Sequence, residues 1–173
     1  MIREDNSLRI RFAAGEEDKV LTSIFKEYRL ALAGQTEEHV VLTGADGLIL
    51  GGAMLSQWDS ADFDLENTVF HIEVFGIAGH VSAMGFGSLL LEGLLSRPWE
   101  YCRRVYGAPN QESAPVDSFV VTTVSRGYAR EFYKSCGFQE CQISALPEYY
   151  HDQCADCAAR QSCDPAPMIY YAK

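Results

Sequence analysis

The sequence lacks the segments that direct a chain into or across a membrane. Its first residues, MIREDNSLRIRF, contain no apolar core of signal-peptide length, and no later stretch approaches the roughly 20 apolar residues that a membrane span needs. Internal repeats and low-complexity tracts are also missing. We therefore expect a cytoplasmic protein without a membrane partner, built as a single domain over residues 1–173.

Basic residues are scarce as well. The chain has 14 Lys and Arg against 24 Asp and Glu, which gives a formal net charge of -10. A field of this sign repels nucleic acid and mildly favours cationic substrates. Acidity that serves only solubility is the alternative explanation. We expect no nucleic-acid partner and a preference for cationic ligands.

The six cysteines are not spread as in a disulfide framework, because three of them lie within residues 154–163. With His151 they read H-x2-C-x2-C-x5-C, and thiolates with one imidazole suit a tetrahedral zinc ion. The sequence predicts a structural zinc site, with free thiols or a disulfide as the alternatives. The predicted ligands are His151, Cys154, Cys157 and Cys163.

Hydrophobic periodicity predicts a mixed α/β fold with a central sheet. The predicted strands cover residues 8–14, 39–43, 48–58, 68–78, 117–124, 138–146 and 167–172. The predicted helices cover residues 16–33, the stretch after Gly85 up to Pro98, and residues 126–136, with Ser125 as an N-cap and Gly34 and Gly137 as C-terminal stops. Residues 99–107 suit a turn or short helix, 59–67 an acidic linker and 108–115 a loop.

The stretch AMGFGSLLLEGLLSR, residues 83–97, places Gly85 and Gly87 where a helix begins. Glycine lets backbone amides come close to a ligand, and the first amides of a helix lack intrahelical partners and lie at the positive end of its dipole. This pattern predicts a cradle for phosphate. Paired glycines also mark ordinary tight turns.

Two motifs follow one another along the chain. A strand that ends at Ile77 leads through GHVSAM into Gly85-Phe86-Gly87 and a leucine-rich helix, and a further strand is followed by AREFYKSCGF at residues 129–138. In this order the motifs resemble the GNAT superfamily of acyl-CoA-dependent N-acetyltransferases, from Leu8 to Lys173. The resemblance implies a mostly antiparallel, twisted central sheet flanked by helices, with strands that splay at the coenzyme site.

The resemblance also implies where acetyl-CoA binds. The loop before the helix would hold the pyrophosphate through its amides, and the preceding strand would pair with the pantetheine arm. A free N–H near Gly76 or Ile77 would polarise the thioester carbonyl. The residues implied are Phe75, Gly76, Ile77, Ala78, Gly79, Ser82, Ala83, Met84, Gly85, Phe86, Gly87 and Ser88.

Three residues are candidates for proton transfer. Tyr133, in the Phe-Tyr pair, corresponds to the general acid that points at the coenzyme sulfur in such families, and a core tyrosine is the alternative. His71 and Glu73 lie two apart on a strand and so share a face, where either could deprotonate the acceptor amine. Glu73 could instead hold the ammonium by charge, and both could be polar residues of the sheet face.

The chain departs from the family pattern at two positions. Ser82 stands where a basic residue or glutamine is usual, so phosphate binding would depend more on the backbone. Arg126 stands where an asparagine is frequent, and it would either restore positive charge near the coenzyme or face solvent.

The resemblance predicts direct acetyl transfer from acetyl-CoA to an amine of a small cationic molecule. The alternatives are a peptide or protein acetyltransferase that modifies lysine or the N-terminus, and a non-catalytic, coenzyme-binding or metal-stabilised interaction module. The cysteine-bearing insertion at about 147–166, with Tyr149 and Tyr150, is expected to shape the acceptor pocket. The oligomeric state stays open, with a homodimer as one option.

Overall fold

The computed structural model describes residues 8–58, 68–106 and 118–172, so the predicted linker at 59–67 and loop at 108–115 lie outside the described residues. The strands are β1 (Arg9–Phe12), β2 (Val40–Thr43), β3 (Ile49–Trp58), β4 (Thr68–Ile77), β5 (Cys102–Val105), β6 (Phe119–Ser125), β7 (Gln139–Glu140) and β8 (Ala166–Tyr171). The helices are α1 (Asp18–Glu27), α2 (Phe86–Ser96), α3 (Arg130–Ser135), α4 (Glu148–Ala155) and α5 (Arg160–Cys163). In these ranges no helix combines the length and the apolar character that a bilayer crossing requires.

Within the described residues the strands form an eight-stranded sheet in the order β1-β2-β3-β4-β6-β8-β7, and β5 pairs with β3. Four pairings are antiparallel, namely β1 with β2, β2 with β3, β6 with β8 and β7 with β8. The pairing of β4 with β6 is parallel and runs from Thr68 opposite Phe119 to Ile72 opposite Thr123. A parallel pair needs a long crossover, and the chain between these strands contains α2. The prediction of a mixed, mostly antiparallel sheet is confirmed.

The chain divides into two compact units, and the prediction of a single domain stays a prediction. The first unit comprises Met1–Leu55 and Glu73–Arg103. Its core contains Leu21 and Phe25 of α1. A Cβ at Gly52 of β3 would stand 2.6 Å from Cδ2 of Leu21, so this glycine lets the helix approach the strand. Each fully buried side chain of this kind contributes about 1.5–3 kcal/mol.

The second unit comprises Ser56–Ile72 and Arg104–Lys173. The ladder between β6 and β8 extends from Val120 opposite Tyr171 to Ser125 opposite Ala166. Val120 packs with the buried Val69 and Ile169, one residue from each neighbouring strand.

The first predicted helix is wrong at its C-terminal end. It stops at Glu27, six residues before the predicted end at 33. Arg29 adopts a left-handed conformation (φ 56°), and bonds from Leu30 N to Phe25 O and from Arg29 N to Lys26 O form a Schellman motif. The stop predicted at Gly34 therefore occurs at an arginine.

Two further predictions in the second half of the chain are wrong. Ser125 does not cap a helix, because it is buried in β6 and its hydroxyl donates to the carbonyl of Arg126 (3.2 Å). The strand predicted over 138–146 is reduced to β7, which finds partners on β8 only at Gln139 and Glu140, and a short 3-10 helix follows at Ile143–Ala145. The segment predicted as a turn or short helix contains both a 3-10 helix, Pro98–Tyr101, and strand β5.

Candidate functional site

The glycine loop, residues 79–85, connects β4 to α2 and is mostly exposed. Gly85 is the N-cap of α2 and has a left-handed conformation (φ 86°). Among the described residues, no side chain forms a capping hydrogen bond at this end of the helix. The first bond of the helix runs from Leu89 N to Gly85 O (3.2 Å), so the amides of Phe86, Gly87 and Ser88 precede the helical ladder. A Cβ at Gly85 would meet no described atom within 4 Å. The start of α2 therefore offers uncapped amides beside open space, an arrangement that suits an anion.

The backbone of the glycine loop is bent by a second left-handed residue. Ala83 has φ 63°, a conformation that costs a residue with a Cβ about 1 kcal/mol or more. Ser82 and Met84 on either side of Ala83 are exposed. The loop thus presents main chain, and no charged side chain, from Ser82 to Gly85.

The C-terminal end of β4 contacts the end of α1. The hydroxyl of Tyr28 donates to the carbonyl of Ile77 (2.6 Å) and accepts from the amide of the same residue (3.2 Å). A Cβ at Gly76 would lie 3.0 Å from the Tyr28 ring, so glycine allows this approach. The N–H of Ile77, one of the two predicted as free for a thioester carbonyl, is bonded in this structure.

Tyr133 of α3 is buried in the second unit with 7% of its surface exposed. Its ring meets those of Phe132 and Phe138 edge to face, each with a centroid distance of 5.3 Å. Burial raises the pKa of Tyr133 far above its ordinary value, while a hydrogen bond with the side chain of Thr123 opposes this shift. The Thr123 hydroxyl also donates to the Ile72 carbonyl (3.2 Å). Tyr133 therefore stays protonated at neutral pH.

His71 is buried on β4, also in the second unit. Its Nδ1 lies 2.8 Å from Oγ1 of Thr122, and its ring stacks on Tyr150 of α4 at a centroid distance of 3.9 Å. Burial lowers the pKa of His71 to about 3. The imidazole is therefore neutral near pH 7 and a weak proton acceptor.

Glu73, the other candidate base, is half-buried on β4 in the first unit. The same unit contains a fully buried histidine, His39, whose Nδ1 lies 2.9 Å from the carbonyl of Gln35. Burial lowers the pKa of His39, and the negative charges of Glu38 and Glu73 oppose the shift. Because Glu73 is half-buried, it has access to solvent, which the buried His71 does not have.

No protein-family model matches the sequence, and no curated protein sequence matches it either. Solved structures do match. N-acetylglutamate synthase from Neisseria gonorrhoeae, complexed with coenzyme A and N-acetyl-glutamate, aligns with 96% of this chain and 35% of its own chain at TM-score 0.67 and 15% identity. Ard1 from Thermoplasma volcanium aligns with 96% of this chain and 99% of its own at TM-score 0.62 and 20% identity. The ribosomal-protein-S18-alanine N-acetyltransferase from Escherichia coli aligns over 95% and 93% at TM-score 0.57 and 15% identity.

The chain has the GNAT fold. The fold predicted from the two motifs is therefore confirmed, and the likeness extends along nearly the whole chain. The chain spans about a third of the length of the N-acetylglutamate synthase structures. Matching structures with this fold that were solved with coenzyme A include the synthase and Rv2747 from Mycobacterium tuberculosis.

The predicted zinc site finds no support among the described residues and stays a prediction. In the described part of the chain, no three His, Cys, Asp or Glu side chains form a group that could hold a metal ion. Nε2 of His151 donates instead to the carbonyl of Leu146 (2.9 Å), which takes that nitrogen away from any metal. Cys154 and Cys163 are half-buried thiols on α4 and α5, and Cys157 is exposed between these helices. Burial raises the pKa of Cys154, and the charges of Cys163 and Cys157 raise it further.

The remaining predicted residues have distinct surroundings. Arg126 is half-buried at the end of β6, and Tyr149 is 63% exposed whereas Tyr150 is buried. Sequence reasoning missed Tyr28 and Thr123. Tyr28 lies within the helix predicted over residues 16–33, and Thr123 lies in the apolar run FVVTTV, where nothing in the sequence distinguishes it from the other strand residues.

Proposed function

We propose that the chain is an N-acetyltransferase that moves an acetyl group from acetyl-CoA directly to an amine of a small, cationic molecule. The observation that carries the proposal is the start of α2, where uncapped amides follow Gly85 beside open space. Helix N-termini of this form bind phosphate, and the coenzyme has a diphosphate. The fold supports the same conclusion, since structures with this fold contain coenzyme A.

In this proposal the main chain of β4 and of the glycine loop holds the coenzyme. Amides of Ser82 to Ser88 bind the diphosphate, and the backbone of Phe75 to Gly79 pairs with the pantetheine arm. The coenzyme supplies an activated acetyl group as a thioester. Tyr133, kept protonated by burial, donates its proton or a hydrogen bond to the leaving thiolate.

The acceptor amine must lose a proton before it attacks the thioester. Of the two candidates, Glu73 fits this task better than His71. A protonated His71 would be a buried cation, which is why its pKa is about 3. Glu73 is half-buried, so it can exchange the proton with solvent and can attract an ammonium ion.

Charge and the structural matches support two classes of acceptor. A net charge of -10 favours a cation. A spermidine N-acetyltransferase chimera matches at TM-score 0.56, and the S18-alanine N-acetyltransferase, which modifies a protein, matches at 0.57. A peptide or protein acceptor is therefore the second candidate.

The coenzyme site is tested by calorimetric titration of the protein with acetyl-CoA and with coenzyme A. Gly85→Ala is the informative variant and Gly47→Ala its matched control, because both glycines have positive φ (86° and 79°) and open space around a Cβ. Both variants should lose about 1 kcal/mol of stability. Only Gly85→Ala should weaken coenzyme binding, by about tenfold or more. Absence of binding to the unaltered protein would end the proposal.

Turnover is tested by thiol release from acetyl-CoA with a panel of spermidine, free amino acids, an alanine-initiated peptide and a lysine peptide. Fastest release with spermidine or an amino acid supports a small acceptor, and preference for either peptide supports the second candidate. Tight coenzyme binding without release from any acceptor would favour a non-catalytic module.

A further inference from the structure

Tyr28 makes an unusual contact with the strand that is proposed to bind the coenzyme. It is the C-cap residue of α1, and its hydroxyl bonds to both backbone groups of Ile77, 49 residues further along the chain. One side-chain oxygen therefore satisfies an amide and a carbonyl that usually pair with a neighbouring strand.

The end of α1 and the close packing at two glycines fix the position of this hydroxyl. The Schellman motif at Arg29 ends α1 directly after Tyr28. A Cβ at Gly76 would stand 3.0 Å from the Tyr28 ring and 3.4 Å from Cδ1 of Phe25, so the Tyr28 ring lies close to the bare backbone of Gly76. At Gly79 a Cβ would meet the carboxylate of Glu27, the preceding residue of α1. The end of α1 therefore lies along the last part of β4 and the start of the glycine loop.

The two groups of Ile77 face the edge of β4 that is remote from β3. Ala78 donates to the carbonyl of Leu50 on β3 (2.8 Å), and the Gly76 carbonyl lies 2.9 Å from the Cβ position of Gly51 on β3. Backbone groups of successive strand residues point to opposite edges. Ile77, between these two residues, therefore points away from β3, to the edge where an added extended chain would pair.

We propose that the Tyr28 hydroxyl occupies the place on β4 that an amide of the pantetheine arm takes, so that coenzyme binding must displace it. This inference rests on the proposed function. An amide N–H donates one hydrogen bond, so the Ile77 amide cannot serve Tyr28 and the coenzyme at the same time. The internal bond competes with the ligand and lowers its affinity.

The test is Tyr28→Phe, which removes the hydroxyl and keeps the ring that packs on Gly76. Calorimetry should show coenzyme A binding about threefold to tenfold tighter than to the unaltered protein, the range expected when one competing hydrogen bond is lost. KM for acetyl-CoA should fall with it. A purely structural role predicts the opposite sign, because a loosened site binds more weakly. The control is Tyr171→Phe, which removes the hydroxyl of a 48% exposed tyrosine and should leave the affinity unchanged.

Hydrogen exchange at the Ile77 amide gives a second readout that does not depend on activity. The amide should be protected in the unaltered protein, exchange faster in Tyr28→Phe, and regain protection in the variant when coenzyme A is added. Equal or weaker coenzyme binding by Tyr28→Phe would overturn the inference and leave the proposed function intact. If neither protein binds the coenzyme, the proposed function fails and the inference fails with it.

Discussion

The glycine loop in the first unit and the surroundings of Tyr133 in the second unit are built in opposite ways. The loop is mostly exposed, and it offers main-chain amides at the start of α2. A Cβ at Gly85 would meet no described atom within 4 Å. Tyr133 is buried among aromatic rings, and its hydroxyl bonds to Thr123. The first region has little packing to lose, whereas the second is part of a core.

Because of this difference, we expect substitutions in the two regions to affect ligand affinity and folding free energy to different extents. Changes in the glycine loop should alter ligand affinity at a small cost in folding free energy, because few contacts are lost there. Changes around Tyr133 and His71 should alter folding free energy as well as activity, because buried polar groups lose their partners. The predictions below test that separation.

The largest effect is expected for Tyr133→Phe. Loss of the proposed acid should lower kcat for thiol release by about 100-fold, while the coenzyme dissociation constant stays within about twofold. Loss of the hydrogen bond to Thr123 should also lower the stability by about 1 kcal/mol. Tyr128→Phe, at a 71% exposed tyrosine of the preceding turn, is the control and should change neither quantity. Full activity in Tyr133→Phe would remove the assignment of the acid.

His71 should make the stability of the protein depend on pH. Its native pKa of about 3 lies below the ordinary value of 6.5, so protons bind the unfolded state preferentially and stability falls as the pH drops below 6.5. The loss between pH 7 and pH 4.5 amounts to about 2–3 kcal/mol. Urea unfolding of His71→Gln, compared with the unaltered protein at both pH values, should show a pH dependence reduced by that amount. An unchanged pH dependence would mean that His71 titrates normally.

Alanine substitutions at two glycines with positive φ allow a direct comparison of the two regions. Gly137 (φ 94°) ends α3, and a Cβ there would lie 3.3 Å from the Tyr170 ring, whereas a Cβ at Gly85 meets open space. Gly137→Ala should therefore cost about 2 kcal/mol and Gly85→Ala about 1 kcal/mol in chemical unfolding experiments. Equal costs would show that packing does not distinguish the two sites.

The smallest effect is expected when charge is added to the glycine loop. Ser82→Arg places a cation beside the amides that are proposed to bind the diphosphate, and should tighten coenzyme binding about threefold at low salt. Ser162→Arg, at an exposed serine of α5, changes the net charge equally and should leave the affinity unaltered. A matching gain in both variants would show that only the overall charge matters.

The sequence predicted the structure best where an element depends on residues that are close together in the chain. The strand before the glycine loop and the start of α2 were predicted within one or two residues, because periodicity and paired glycines act over short distances. The end of α1 was mispredicted because its apolar pattern continues to Leu32, whereas the chain turns at Arg29. The zinc site stays a prediction, because the spacing of His151 and the three cysteines does not decide whether their side chains meet at one point in the fold.

The sequence by itself determined strands β1 to β4, the GNAT fold and the start of α2 after a glycine, because backbone conformation and helix termini depend on residues close together in the chain. Tertiary structure alone decided that the Tyr28 hydroxyl bonds to Ile77, that Thr123 forms a hydrogen bond with Tyr133 and that His71 stays neutral. These contacts join segments far apart in sequence, and burial is a property of the packed chain that no short stretch of residues encodes.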